Sequence, residues 1–320
     1  MLSILVDFNN VKMSRLFCKD VMEKTKYTVH NIDYDIWKYA VFESIYNYVV
    51  KFSPDEVVIA TDSKISWRKL LFPLYKANRP EQRQKYNINW DRYQEISDSF
   101  TKELKEHFPF KFIELKYAEA DDIIGSITLN SNDDHKIIIV SSDNDYLQLT
   151  KNGIQLYSIM KQDYISHPNP DMWLKEYILR GQPKDNIFNV ATPLDYPKEL
   201  RKPPLGEKGA EKMLIQGLDE ALNKYVSYTK KYHDENGKGQ LYKSTVNLQE
   251  RYNFNKNLID FNKIPKSISK KILKIYKNYE YPHPNQILVF LQKYGWPTFI
   301  DNITNVENRL FNLYKSDKNG

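Results

Sequence analysis

The stretch Lys136–Leu149, KIIIVSSDNDYLQL, decides the fold. Its β-branched run shows no polar alternation, as a strand covered on both faces requires. The run passes through Ser141 and Ser142 into Asp143, with Asp145 two residues on. Two more segments repeat the pattern: Leu2–Val6 (LSILV) runs into Asp7, and Glu56–Thr61 (EVVIAT) runs into Asp62. Helical spacing lies between them. Trp37, Val41, Ile45 and Tyr48 recur at threes and fours within Ile36–Val50, and Ile123, Ile124 and Ile127 do so within Asp121–Leu129. Strand–helix alternation over the first 160 or so residues predicts an α/β domain with a central, mostly parallel sheet and helices on both faces.

Beyond about Met172 the strand signal fades. Met172–Leu179, Gly209–Ile215, Leu218–Tyr228, Ser267–Tyr279 and Asn285–Tyr294 read as helices, punctuated by Pro183, Pro193, Pro197, Pro203, Pro204, Gly206 and Pro282. His233–Gln240 (HDENGKGQ) reads as an exposed, mobile loop. The expected division is an α/β domain over 1–170 and a mostly helical region over 171–320.

The bulk composition narrows the function. Apolar residues are 41% of the 320, enough for a sizeable core. No run of 18 apolar residues is present, so no membrane span is expected. MLSILVDFNN lacks the basic start and cleavage site of a signal peptide. The single cysteine, Cys18, excludes an internal disulfide and points to a cytoplasmic setting. The six histidines form no zinc pattern. The net charge of +6 is mild, yet if many acids share one site the remaining surface is basic enough for a polyanion.

The aspartates carry the chemistry. Carboxyl ends of parallel strands lie side by side, and ligands bind in the crevice outside them. Asp7, Asp62, Asp143 and Asp145 occupy such ends. Glu119-Ala120-Asp121-Asp122 opens a helix, where free N–H groups favour anions, and Asp185 lies in a loop. One crevice cannot hold so many carboxylates unaided, because repulsion would protonate some of them. Oxygen-only ligands suit Mg²⁺ or Mn²⁺, and two such ions form a clamp for phosphodiester hydrolysis. Any single aspartate is more simply a cap after its strand. Three strand ends plus the EADD group together make that reading weak.

Between Ser63 and Tyr93 cations and rings interleave, among them Lys64, Trp67, Arg68, Phe72, Tyr75, Lys76, Arg79, Arg83, Trp90, Arg92 and Tyr93. Cations hold phosphates and rings stack unpaired bases, so the segment reads as a nucleic-acid gateway. Leu205–Leu214 (LGEKGAEKML) is a glycine-bearing turn entering a helix, and Gly206, Lys208 and Gly209 form a candidate backbone-phosphate site.

Taken in order, ILVDFNN (4–10), VVIATD (57–62), LYKANR (74–79), AEADDIIG (118–125), IVSSDNDYLQL (139–149), GQPKDNI (181–187) and LGEKGAEKM (205–213) resemble the 5′-nuclease superfamily. That family comprises flap endonucleases, polymerase-associated 5′→3′ exonucleases and phage ribonucleases H. NLIDF (257–261) with Ile264-Pro265 resembles the C-terminal helical part of the T-even phage ribonucleases H. The resemblance implies a PIN/5′-nuclease-like sheet, with a helix–hairpin–helix near Gly206–Ala210 gripping duplex DNA, in some relatives around a K⁺ ion. It implies Asp7, Asp62, Glu119 and Asp121 around a first Mg²⁺, Asp122 behind them, and Asp143, Asp145 and Asp185 around a second. Lys76 and Arg79 would steady the scissile phosphate, Tyr75 would stack the terminal base, and the segment 79–108, including Arg83, would arch over a 5′ single strand. Gln182 stands where relatives usually carry an aspartate, and Pro204 where they often carry glycine.

The expected activity is therefore metal-dependent 5′→3′ exonuclease and flap cleavage that removes RNA primers and adjacent DNA. Its substrates would be branched DNA and RNA–DNA hybrids, its candidate partners single-strand-binding protein and a sliding clamp, and its state a monomer. Two alternatives stay open at this point: a non-catalytic binder of branched DNA, and a single-strand ribonuclease on a similar acidic sheet.

Overall fold

The computed structural model describes residues 1–19, 21–24, 29–151, 153–281 and 286–316. In chain order the strands are β1 (Leu2–Asp7), β2 (Met22–Lys24), β3 (Val29–Ile32), β4 (Glu56–Ala60), β5 (Lys111–Ile113), β6 (Lys136–Val140), β7 (Ile154–Ser158), β8 (Asp163–Ile165), β9 (Tyr225–His233) and β10 (Gly239–Asn247). The chain forms two compact units, one of Met1–Trp67, Glu81–Ser166 and Pro265–Gly320, the other of Arg68–Pro80 and His167–Ile264.

The first unit holds a six-stranded sheet in the order β5-β4-β1-β6-β7-β8. Every pairing is parallel except β7 with β8. The order reverses at β1, since β4 and β5 lie to one side of it and β6 to the other. That reversal opens a crevice at the carboxyl ends, where Asp7 sits. The three apolar runs became the three central strands because all their inner residues are buried, Ile4–Val6, Val57–Ala60 and Ile137–Val140 alike. The helix Tyr34–Phe52 presses Trp37, Val41, Phe42, Ile45 and Val49 into the core, where Phe42 meets Phe108, Phe290, Trp296 and Phe299. A buried ion pair, Lys111 Nζ to Glu56 Oε2 at 2.6 Å, joins β5 to β4. Glu56 also accepts from Ser3 Oγ and Tyr276 OH, so the pair is hydrogen-bonded as a buried charge must be.

This division corrects the linear one at 170/171. Phe290, Leu291, Trp296, Phe299, Leu310 and Leu313 belong to the core of the sheet-bearing unit, so the last part of the chain folds with the first. The segment 79–108, expected to form an arch, divides into two unlike environments. Helix Arg79–Gln84 buries nothing, whereas helix Trp90–His107 sets Tyr93, Phe100 and Leu104 in the core.

The second unit is helical, with Pro170–Arg180, Glu207–Ile215 and Leu248–Ile259 packed around Ile178, Leu179, Ile187, Val190 and Tyr252. The helix expected over Leu218–Tyr228 stops at Leu222, and β9 pairs antiparallel with β10 through a turn at Asp234–Lys238. The reason is period: Val226, Tyr228 and Tyr232 alternate with exposed residues, and Tyr228 and Tyr242 pack on Tyr196. His233–Gln240 is thus a paired hairpin turn rather than a free loop. Of the final expected helix, Ile287–Tyr294 is observed, while Pro282 and Asn285 lie outside the described residues.

Candidate active site

Asp7 ends β1 and caps the helix Phe8–Leu16, accepting from Asn10 N at 3.1 Å. Its other oxygen accepts from Ser141 Oγ at 3.0 Å, across the switch point from β6. Asp62, two residues beyond β4, is exposed and accepts from Ala120 N at 2.7 Å, at the opening of helix Ala120–Leu129. In that first turn Glu119 is buried and accepts from Ser66 Oγ at 2.8 Å. Asp122 is wholly buried, and its Oδ2 takes Glu119 N at 2.9 Å and Trp67 Nε1 at 3.1 Å. It therefore holds the turn in place, behind the carboxylates that face the crevice. Asp143 Oδ1 accepts from Asp145 N at 3.0 Å, and Asp145 is buried.

The electrostatics follow from the crowding. Burial, then the charges of Asp62 and Asp143, push the Asp7 carboxyl up from 3.8 to about 7, against the hydrogen bonds from Asn10 and Ser141. A hard dication supplies the positive charge such a set lacks, and every donor here is an oxygen, which fits Mg²⁺ or Mn²⁺. Among the described residues no three acidic side chains are grouped closely enough to hold an ion as they stand. Side chains would have to close around one for the set to hold it.

Sequence reasoning missed two residues here. Tyr146 is fully buried, and its hydroxyl donates to Asp121 Oδ1 at 2.7 Å and lies 3.4 Å from Asp7 Oδ2. Burial and the neighbouring acids hold its phenol protonated, with a pKa well above the ordinary tyrosine value. In the sequence it reads only as an apolar residue of SSDNDYLQL. Lys12 is the second. It is buried on helix Phe8–Leu16, and burial lowers it to about 8 while Asp98, Asp62, Asp7 and Glu114 oppose the fall. Its place one turn past Asp7 was the available signal.

The second unit brings the rest of the named motifs together. Arg79 Nη2 pairs with Asp185 Oδ1 at 3.0 Å, Lys76 N donates to Asp185 O at 2.9 Å, and Asn186 Nδ2 donates to Leu74 O. Lys76 sits at φ 56°, a left-handed conformation that costs a non-glycine residue energy and marks a constrained site. The motif containing Asp185 turns on Gly181, whose φ is +68° and where a Cβ would stand 2.5 Å from Ile187 O. Gln182 is buried and pairs with Ile187 through both backbone hydrogen bonds, so it does not face solvent.

Some gateway residues have other duties. Tyr75, expected to stack a terminal base, is only 3% exposed and packs beside Phe72 in the hydrophobic cluster of its unit, with Lys76 Nζ over its ring. Arg68 is buried too and donates to Leu258 O. Arg83 is exposed and lies over the Trp90 ring. Gly206 precedes helix Glu207–Ile215 with open space where a side chain would be, and Lys208 beside it is exposed. A backbone phosphate can approach there.

Residues 4–177 match the model of the 5'-3' exonuclease N-terminal, resolvase-like domain. The chain belongs to this 5′–3′ exonuclease family. It is an enzyme of the phosphodiester-cleaving class, with the sheet that the family carries. Similar to this exonuclease are the ribonuclease H of Enterobacteria phage T4, 28% identical over 249 residues that cover 75% of each chain, and a 5'-3' exonuclease of Mycoplasmopsis pulmonis, 24% identical over 283 residues, 80% of each. Among solved structures, the bacteriophage T5 flap endonuclease in complex with DNA and metal ions superposes with a TM-score of 0.58 at 15% identity, over 87% of this exonuclease and all of that chain. At such identity the likeness speaks for the fold. Among the described residues no helix of this exonuclease is long and apolar enough to cross a membrane.

Proposed function

We propose that this exonuclease is a divalent-metal-dependent 5′→3′ nuclease that degrades the RNA of RNA–DNA hybrids, cuts flapped DNA, and removes primers with some adjacent DNA. The observation that carries this reading is Asp7. A carboxylate lifted to about 7 by burial and by Asp62 and Asp143 is a poor stabilising choice and a good place for a dication. Bound Mg²⁺ would supply an activated water and neutralise charge on the attacking and leaving oxygens. Asp7, Asp62, Glu119 and Asp121 are the ligand set for a first ion; Asp143 and Asp145 are candidates for a second, and Asp185 is a candidate ligand on its motif alone. Asp122 and Tyr146 position that set. Lys76 and Arg79 would stabilise charge at the scissile phosphate, and Gly206, Lys208 and Gly209 would grip duplex backbone without reading sequence. The T4 relative is named for ribonuclease H activity and the T5 neighbour was solved with DNA and metal ions, which supports hybrids and branched DNA as substrates. Single-strand-binding protein and a sliding clamp are its candidate partners, in a cytoplasmic setting.

The test is digestion of 5′-labelled RNA–DNA hybrid, nicked duplex and flap, side by side, with and without Mg²⁺. Cleavage from the 5′ end that requires the metal supports the reading. Binding of all three substrates with no cleavage in Mg²⁺ or Mn²⁺ would leave a non-catalytic binder instead.

A further inference from the structure

The helix Lys266–Lys277, KSISKKILKIYK, has two unlike sides. Ile272 is fully buried, Ile268 and Ile275 are half-buried, and Tyr276 donates to Glu56 of the buried ion pair, with Lys111 Nζ over its ring. Those contacts seat the helix against β5 and against helix Ala120–Leu129, whose first turn carries Asp121 and Asp122. Lys266, Lys270, Lys271, Lys274 and Lys277 are all exposed. At 100° per residue, Lys266, Lys270, Lys274 and Lys277 fall within an arc of about 80°, with Lys271 about 60° beyond it. No acid occurs from Phe261 to Tyr279, and among the described residues none of the five forms an ion pair.

Folding does not explain this stripe. Lys274 and Lys277 lie in the last turn and suit the helix dipole. Lys266 opposes the dipole at the first position, and Lys266–Lys270, Lys270–Lys274 and Lys274–Lys277 are like-charge pairs at helical spacing, which destabilise a helix. A surface that carries such repulsion is complementary to a polyanion. The spacing is compatible with a nucleic-acid strand. Lysines four apart on a helix rise about 6 Å, close to the distance between every second phosphate of one strand projected on a DNA axis.

We propose that this lysine stripe is a binding surface for the sugar–phosphate backbone of a duplex arm of the substrate. It would add affinity and tolerate any sequence, because point charges on flexible stems read charge and not bases. The identity of the polyanion rests on the nuclease reading above.

The experiment measures binding to a flap substrate with a long duplex arm, and to one with that arm truncated, across a salt series in EDTA. Lys270→Gln/Lys274→Gln/Lys277→Gln is compared with wild type and with the Lys→Arg triple. The Gln triple should lower the slope of log affinity against log salt by about two to three on the long-armed substrate. It should cleave the truncated substrate at the wild-type rate and melt no lower, while the Arg triple keeps the wild-type slope. A Gln triple with the wild-type slope overturns the proposal, as does an Arg triple that loses as much. If polyglutamate captures wild type but not the Gln triple while the DNA slopes coincide, the partner is an acidic protein and the proposal falls. Failure of the nuclease reading looks different: wild type would then cut no substrate in any divalent metal, whatever the slopes.

Discussion

Asp7→Asn tests the electrostatic account of the site directly. In the folded chain the Asp7 carboxyl lies at about 7 against an ordinary 3.8. A proton is therefore held more tightly folded than unfolded. The stability this contributes is complete below about pH 4 and is lost as pH rises toward 7. At roughly 1.4 kcal/mol per tenfold change in proton affinity, the loss is on the order of 4 kcal/mol by pH 8. That is a large share of the 5–15 kcal/mol or so typical of a folded protein. Asparagine keeps the shape without the charge: its Oδ1 can accept from Asn10 N while its Nδ2 donates to Ser141 Oγ. In EDTA the variant should unfold at higher urea than wild type at pH 8, and the two should converge near pH 4. Mg²⁺ should raise the wild-type midpoint at pH 8 and leave the variant nearly unmoved, and cleavage by the variant should be nearly abolished. Urea midpoints that match at pH 8, or differ by the same amount at every pH, would refute the claim that crowded charge strains this site.

Tyr146→Phe removes the donor to Asp121 and should weaken Mg²⁺ binding by about tenfold, as loss of a hydrogen bond to a charged group predicts; calorimetric titration with Mg²⁺ reads it, and an unchanged affinity would show that Tyr146 only fills space. Lys76→Ala should cut turnover on a flap by about 10²-fold with a smaller loss of binding, and a defect confined to binding would make Lys76 an ordinary phosphate contact. Gln182→Asp supplies the acid that the family resemblance leads one to expect there and should move the Mg²⁺ dependence of cleavage to lower concentration, whereas titrations that superimpose would place Gln182 among purely structural residues.

The sequence by itself determined the three central strands, the carboxylates at their ends, and the family. Each rests on local patterning: a short, β-branched apolar run reads as a covered strand, and an acid directly after it then lies at the sheet's carboxyl edge. It also placed Asp185 in a loop, though the clash with Ile187 that demands glycine at Gly181 is visible only in the fold. Tertiary structure decided what local pattern cannot contain. The expected helix ran on through Tyr225–Tyr228, whereas pairing with β10 and packing of Tyr228 on Tyr196 make that stretch a strand. The chain after Pro265 joined the sheet-bearing unit through Phe290, Trp296 and Leu310, contacts far apart in sequence. Tyr75 reads like a stacking ring and is a core residue, because burial is a property of neighbours and not of residue type. Tyr146 reads like a core ring and is the hydroxyl that bonds Asp121, because the partner of a buried polar atom is supplied by a different element of the chain.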